Sequence, residues 1–531
     1  MNRRQFLQHS AKNLSLLAGA HLLTHLNCER QSQDARPNIL LIMADDMGFS
    51  DLGCYGGEIH TPNLDRLAAG GLRFTQFYNN GICVPTRASL LTGLYSQQVG
   101  VFENSPKKYE NGVTLGEVLR SAGYRTLMTG KWHAQETPFQ RGFDRHFGLC
   151  DGCCNFFNPG PRRPGEPEPG RKLTSYGYPR RWAIDDQEFK PYAPTDKNFY
   201  TTDAFTDYAL KYLDQYGLEE KPFFLYLAYT APHYPLHAWP EDIARYRGKY
   251  RIGWDQLRQQ RYQRQVEMGL VNANWQLSPR DEIVPDWESV ADKDAWDLKM
   301  AVYAAMIHRM DQNIGRVLQK IKDLGQEENT LVLFLSDNGG CAGEANYTPD
   351  IPPGPVESYR SVDPPWANAS NTPFRKYKAW DHEGGICTPL IAYWPKVIQD
   401  GGKITRQVGH IIDVMPTLVE LAGASYPQRF KGQNVLPMEG KSLLPILQGK
   451  KRPEPPALFW QIAPHRHRAV RQGEWKLVAT GSDSPWELYN LQDNRIEMKS
   501  VAEKYPEKVA ELAGLYQNWA VKVGMAAREA E

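Results

Sequence analysis

Apolar and polar positions alternate along this chain in a strand–turn–helix rhythm. Asn38-Ile39-Leu40-Leu41-Ile42-Met43-Ala44 is an unbroken apolar run between turn residues, the pattern of a strand buried on both faces. Similar runs predict strands from Tyr124 to Met128, Pro222 to Tyr229, Thr330 to Ser336 and Pro389 to Trp394. Between them the period lengthens. Tyr303, Met306, Ile307, Met310, Ile314, Val317, Leu318 and Ile321 recur at helical spacing and predict a helix from Lys299 to Leu324, closed by Gly325. Shorter helices are predicted from Thr61 to Ala68, after the Thr114/Glu117 capping box, from Asp203, and from Asp413 to Leu421. Arg and Gln throughout 258 to 264 read as a solvated helix face. The alternation predicts an α/β fold, a large mixed, mostly parallel sheet sandwiched by helices, over residues 36–430. Short, closely spaced strand candidates from Leu458 to Tyr489 and an amphipathic helix from Pro506 to Val523 predict a smaller C-terminal antiparallel sheet plus helix over 431–531.

Polar residues collect where the strands end. Asp45-Asp46 follows the first strand, Lys131 and His133 the second, His233 the third and Asp337-Asn338 the fourth. In a parallel sheet these ends share one edge, where open α/β sheets place ligands. Adjacent carboxylates repel, and a bound cation relieves them. Three carboxylates and an amide make a hard oxygen cage suited to Ca²⁺ or Mg²⁺. Cys83 sits on a turn fixed by Pro85 that runs into a helix closed by Gly93. The helix N-terminus and Arg87 favour an anionic nucleophile and anionic substrates there. Arg87, Lys131 and Lys378 would supply charge for a tetrahedral oxyanion. Each motif alone has a bland reading: a solvated Asp-Asp turn, a surface lysine or histidine, a buried thiol. Their convergence on one edge favours a site.

Other features bound the function. Lys+Arg 62 against Asp+Glu 61 gives a net charge of +1, with no nucleic-acid footprint. The Pro/Gly-rich stretches 151 to 200 and 341 to 370 read as irregular loops on the ligand side. Residues 1–30 pair Arg3-Arg4 with an apolar run too short to span a bilayer, like a bacterial twin-arginine export signal, which places the protein in the periplasm. Cys28 follows that run, where a lipid anchor would attach, although His25 replaces the usual lipobox leucine. No other run is apolar enough to give a stable membrane span. The eight cysteines read as disulfides or free thiols, since Cys150, Cys153 and Cys154 lack a second pair at zinc spacing.

Cys83-Val84-Pro85-Thr86-Arg87 with Leu91-Thr92-Gly93 resembles the signature of the formylglycine-dependent sulfatases, arylsulfatase-like members of the alkaline phosphatase superfamily. The resemblance extends over most of residues 37 to 525 and includes Asp45-Asp46, Thr129 to His133, Ala231-Pro232-His233, Asp337-Asn338-Gly339 and Glu383-Gly384-Gly385. It implies an alkaline-phosphatase-like fold and hydrolysis of an aryl or carbohydrate sulfate ester. It also implies that a formylglycine-generating enzyme oxidises Cys83 and that the aldehyde hydrates to a geminal diol. Asp45, Asp46, Asp337 and Asn338 would hold Ca²⁺ together with a diol oxygen of residue 83. Arg87 and Lys131 would anchor the modified side chain, Lys131 and Lys378 would neutralise the sulfuryl group, and His233 with Lys378 would protonate the leaving alcohol. His133 would take the proton from the second hydroxyl. Family spacing, five residues before the glutamate of Glu383-Gly384-Gly385, selects Lys378 over Lys376. Two alternatives stay open at this point: a phosphodiester or phosphonate monoester hydrolase, and a non-catalytic binder of sulfated glycans with Cys83 unmodified.

Overall fold

The computed structural model describes residues 36–170, 180–462, 467–481 and 483–525. The export signal at 1–30 and the lipid anchor at Cys28 lie outside the described residues. Strands Asn38–Ala44, Phe223–Ala228 and Thr330–Ser336 are buried at every position, as continuous apolar runs require. They pair in parallel, with Ile42 opposite both Leu227 and Phe334. Arg125–Gly130 adds in parallel to Phe223–Ala228, and Leu390–Tyr393 adds antiparallel to Thr330–Ser336. The sheet has ten strands, completed by Arg145–Leu149, Trp182–Ile184 and Gln187–Phe189 on one side and Leu72–Phe74 and Lys403–Thr405 on the other.

The pleat divides the core in two. Leu40 and Ile42 face the long helix Lys293–Asp323 through Met306, Ile307 and Met310, while Ile39, Leu41 and Met43 face the Cys83–Thr92 helix through Val84, Leu90 and Leu91. The sheet and its two helical layers match the predicted α/β architecture. A four-stranded antiparallel sheet, Leu458–Ile462, His467–Gln472, Trp475–Ala479 and Glu487–Asn490, follows in the C-terminal part with the helix Pro506–Lys522. Trp519 of that helix stacks on Phe459, ring centroids 5.2 Å apart.

Several elements differ from the sequence reading. The long helix begins at Lys293, six residues before the predicted Lys299, capped by Asp292, whose side chain accepts the Ala295 N–H at 2.9 Å. Its first turns hide from hydrophobic periodicity because their buried residue is Asp297, which Arg247 pairs at 2.7 Å. The face predicted to be solvated over 258 to 264 belongs to the helix Gly253–Glu267 and is partly buried: Arg261 is fully enclosed between Asp51 and Glu58, both at 2.8 Å. The irregular stretch 341 to 370 ends in a helix, Asp363–Ser370. The seven cysteines among the described residues are all free.

A buried ionic cluster joins the C-terminal sheet to the short helix Glu383–Ile386 and to Tyr78. Glu383 Oε1 accepts from Lys476 Nζ at 3.0 Å and its Oε2 from Arg495 Nε at 2.8 Å and the Tyr78 hydroxyl at 2.9 Å. Lys476 also lies 2.7 Å from Glu497, with both side chains fully buried. Burial raises the Glu383 pKa, and Lys476, Arg495 and Arg471 more than offset it, holding the carboxyl at about 2. Such a depressed group stabilises the fold above its unfolded pKa of about 4.3 and loses that contribution as pH falls toward 2. Unfolding free energy should therefore fall with pH across that window, and the slope should shrink in Glu383→Gln, as urea titrations at several pH values would show. Removing the shared cation with Lys476→Met should cost about 3–5 kcal/mol, because buried Glu497 loses its cation and Glu383 keeps only Arg495.

Candidate active site

The parallel strands bring the predicted residues to one edge, and each side chain is placed by a local device. Asp45 and Asp46 leave the first strand as the chain turns, with Asp46 at φ +66°. This left-handed conformation, which costs of order 1–3 kcal/mol in a non-glycine residue, aims both carboxylates into one space. Gly130, at φ +109°, ends its strand where a Cβ would stand 1.8 Å from the Ala228 carbonyl oxygen, so only glycine lets Lys131 turn inward. His133 is again left-handed, at φ +63°. Gly152 leaves room for it, since a Cβ there would approach its ring to 2.7 Å.

The contacts form a closed set. Lys131 Nζ donates to Asp45 Oδ2 at 2.7 Å. Arg87 donates to Asp337 Oδ2 from Nε at 3.0 Å and from a terminal nitrogen at 2.8 Å. Asp337 Oδ1 accepts the Asp46 N–H at 3.2 Å. Asp46 Oδ1 accepts from Asn338 Nδ2 at 2.7 Å and from Lys378 Nζ at 2.6 Å. Lys376 turns away to Asp281 at 2.9 Å, which leaves Lys378 as the lysine of the site. His233 Nδ1 donates to the Tyr234 carbonyl at 2.5 Å, so its Nε2 faces Asp46 Oδ2, 3.4 Å away.

Three oxygens in this cluster have no hydrogen-bond partner although they are buried: Asp45 Oδ1, Asp46 Oδ2 and Asn338 Oδ1. One ligand atom from each of Asp45, Asp46 and His233 lies within 4.8 Å of the others. Orphaned hard oxygens on neighbouring carboxylates fit a divalent cation such as Ca²⁺ or Mg²⁺, and Asp337, although engaged by Arg87, keeps a lone pair for the same ion. The electrostatics agree. Burial pushes the Asp45 carboxyl up to about 8, with Asp337 and Asp46 adding to it against Lys131 and Arg87. Burial also raises Asp46, but His233, Lys378 and Asn338 outweigh it and hold the carboxyl below its ordinary range.

Cys83 is the first residue of its helix and 1% exposed. The sequence expectation of an anionic thiol there is overturned. Burial pushes the thiol pKa up, aided by Asp337 and Asp45, and outweighs Lys131 and Lys378. Burial, then Lys131, Arg87 and Lys378, push His133 well below its ordinary value, so it stands neutral with Nδ1 unpartnered. Burial likewise lowers His233 to about 3, with Lys378 and Lys131 assisting against Asp46. Two residues that no motif marked also reach the site. Asn104 accepts from Cys83 Sγ at 3.1 Å, and the Tyr303 hydroxyl bonds the Asp46 carbonyl at 3.2 Å and Asp51 at 2.8 Å. Tyr303 belongs to the predicted apolar stripe, where a tyrosine reads as packing; Asn104 lies in a loop with no periodicity to reveal it.

Comparison with known proteins gives the same reading. The family model described as Sulfatase matches residues 37–424, and one described as N-sulphoglucosamine sulphohydrolase, C-terminal, matches residues 375–517. The chain is 34% identical to an arylsulfatase of Klebsiella aerogenes, over 83% of this chain and 97% of that protein. It is 33% identical to an uncharacterized sulfatase of Schizosaccharomyces pombe, over 93% of this chain and 95% of that one. Among solved structures it resembles Ps i-CgsB in complex with k-i-k-neocarrahexaose, with a TM-score of 0.66 and 26% identity over 91% of this chain and 93% of that one.

If the orphaned oxygens form a cation site, added Ca²⁺ should raise the thermal unfolding midpoint relative to protein in excess chelator. Asp46→Asn should abolish that shift. A midpoint indifferent to Ca²⁺ and Mg²⁺ in the unsubstituted protein would remove the cation from the site.

Proposed function

The chain belongs to the sulfatase family and is a sulfuric ester hydrolase, and from that membership we propose that it cleaves aryl or carbohydrate sulfate esters with a formylglycine made from Cys83. The observation that carries this reading is the surroundings of Cys83, a neutral buried thiol set among three cations and three carboxylates that a plain cysteine nucleophile would not need. A hydrated formylglycine supplies two hydroxyls on one carbon, one to attack sulfur and one whose ionisation releases sulfate. Asp45, Asp46, Asp337 and Asn338 would hold Ca²⁺, or Mg²⁺, which when bound would polarise a sulfate oxygen and acidify the attacking hydroxyl.

The chain's own side chains supply the rest. Arg87 is committed to Asp337 and to the Lys131 carbonyl at 2.9 Å, so it fixes the floor of the pocket and leaves Lys131 and Lys378 to meet the sulfate charge. His133, neutral and with a bare nitrogen, is suited to take a proton from the second hydroxyl. His233 presents Nε2, the nitrogen Tyr234 leaves unengaged and bare in the neutral ring, so the proton for the departing alcohol comes from the Lys378 ammonium, directly or relayed through that nitrogen.

The proposal implies a formylglycine-generating enzyme as a partner and, from the N-terminal arginines, export to the periplasm. No helix among the described residues is long and apolar enough to cross a membrane. We further read residues 36–430 as the catalytic domain and 431–531 as a C-terminal subdomain. The relatives' names point to aryl sulfates, and the structure solved with a neocarrahexaose points to sulfated glycans as the second substrate class to screen.

Cys83→Ala should abolish hydrolysis of 4-nitrophenyl sulfate while leaving the fold intact by circular dichroism. Peptide mass analysis of active native protein should find residue 83 without its thiol. An unmodified thiol in fully active material would overturn the formylglycine mechanism.

A further inference from the structure

One contact to residue 83 is absorbed by none of the roles above. Asn104 Oδ1 lies 3.1 Å from Cys83 Sγ and accepts the Val84 N–H at 3.2 Å. The helix that begins at Cys83 has no side-chain cap from its own N-cap residue, Ile82, so Asn104 caps it from a separate loop. That loop is tied down on both sides: Glu110 N–H donates to the Val99 carbonyl at 3.2 Å and Gln135 N–H to the Lys107 carbonyl at 3.1 Å. The amide oxygen is held by the Val84 N–H at the place where the side chain of residue 83 projects.

Cys83 Sγ marks one substituent position on Cβ. In a hydrated formylglycine the same Cβ carries two oxygens, formed when water adds across the C=O, its oxygen to carbon and one proton to the carbonyl oxygen. One hydroxyl takes the position of Sγ; the other must take another staggered position. We propose that Asn104 is a catalytic residue of this enzyme: in the resting hydrate its side-chain carbonyl accepts a hydrogen bond from one hydroxyl of residue 83 and so turns the other toward the carboxylate edge, and once that other oxygen carries the sulfate the first O–H turns from Asn104 to His133, which takes its proton. The proposal rests on conversion of Cys83. The acceptor does two things a helix cap alone does not. It favours the hydrate over the free aldehyde, since an aldehyde has no O–H to donate, and it fixes which oxygen points at the site. Asn serves where Asp would bring a further negative charge against an anionic substrate.

The test uses full-length protein produced with the converting enzyme, with the converted fraction measured by peptide mass for each variant. The free aldehyde is read by the rate of oxime formation with an aminooxy probe, and turnover by kcat and KM on 4-nitrophenyl sulfate. Asn104→Ala should label several-fold faster per converted site and lose roughly tenfold in kcat with KM nearly unchanged. Asn104→Asp, which keeps the acceptor, should label like the unsubstituted protein but show a raised KM. Three results would overturn the proposal: labelling and kcat in Asn104→Ala equal to the unsubstituted protein; a kcat loss that follows only the converted or folded fraction; or Asn104→Asp labelling as fast as Asn104→Ala. A failure of the formylglycine reading itself shows separately, as an unsubstituted protein that turns over with its thiol intact.

Discussion

Three carboxylates buried together at the end of two adjacent parallel strands are the constraint on which the rest of this site depends. Asp45, Asp46 and Asp337 are shut away from water, and an uncompensated buried carboxylate costs several kcal/mol. The surrounding sequence supplies their compensation: Arg87 spends its fork on Asp337, Lys131 goes to Asp45, and Lys378 and Asn338 go to Asp46. Even so, oxygens are left over, and they face one another. The same excess of negative charge that is costly to bury suits a hard divalent cation, so the strain and the fit have one origin.

The left-handed residues follow from that geometry. Asp46 and His133 adopt positive φ where each strand gives way to the site, and Lys376 and Ala379 do so on either side of Lys378. Lys378 is held by its own N–H to the Gly340 carbonyl at 3.1 Å, while the Ala379 N–H donates to the Gly81 carbonyl at 2.8 Å. The lysine loop is thus sewn to the two segments it must serve, the one after Asp337-Asn338 and the one before Cys83. Rigid backbone placement, rather than side-chain reach, sets the ammonium 2.6 Å from Asp46.

Much of this was legible in the sequence because the site sits at strand ends, and buried strands announce themselves as apolar runs. Asp45, Asp46, Lys131, His133, His233, Asp337 and Asn338 each follow such a run directly, and parallel pairing does the rest. The reading failed where burial is carried by charge. Arg261 and Asp297 are enclosed, yet hydrophobic periodicity counts them as surface, so a partly buried helix reads as solvated and a long helix reads as short. It failed also for the thiol's ionisation, because the helix N-terminus was visible in sequence and the burial of the thiol, with the carboxylates beside it, was not. Asn104 was out of reach altogether: a loop amide has no period, and its meaning lies in a contact across 21 positions.

The Glu383 cluster has a bearing on the order of events in biosynthesis. Residues 83 to 92 are buried throughout, Arg87 completely, so the conversion of Cys83 proposed above needs these residues before the helix is enclosed. The segment just after Lys378 is secured through Glu383 to Lys476, Arg495 and Glu497, which lie 93, 112 and 114 positions further along the chain. Until those residues arrive, the wall of the pocket lacks its anchor. On that proposal, conversion of Cys83 precedes the pairing of Glu383 with Lys476 and Arg495, which the chain supplies only 93 and 112 positions later.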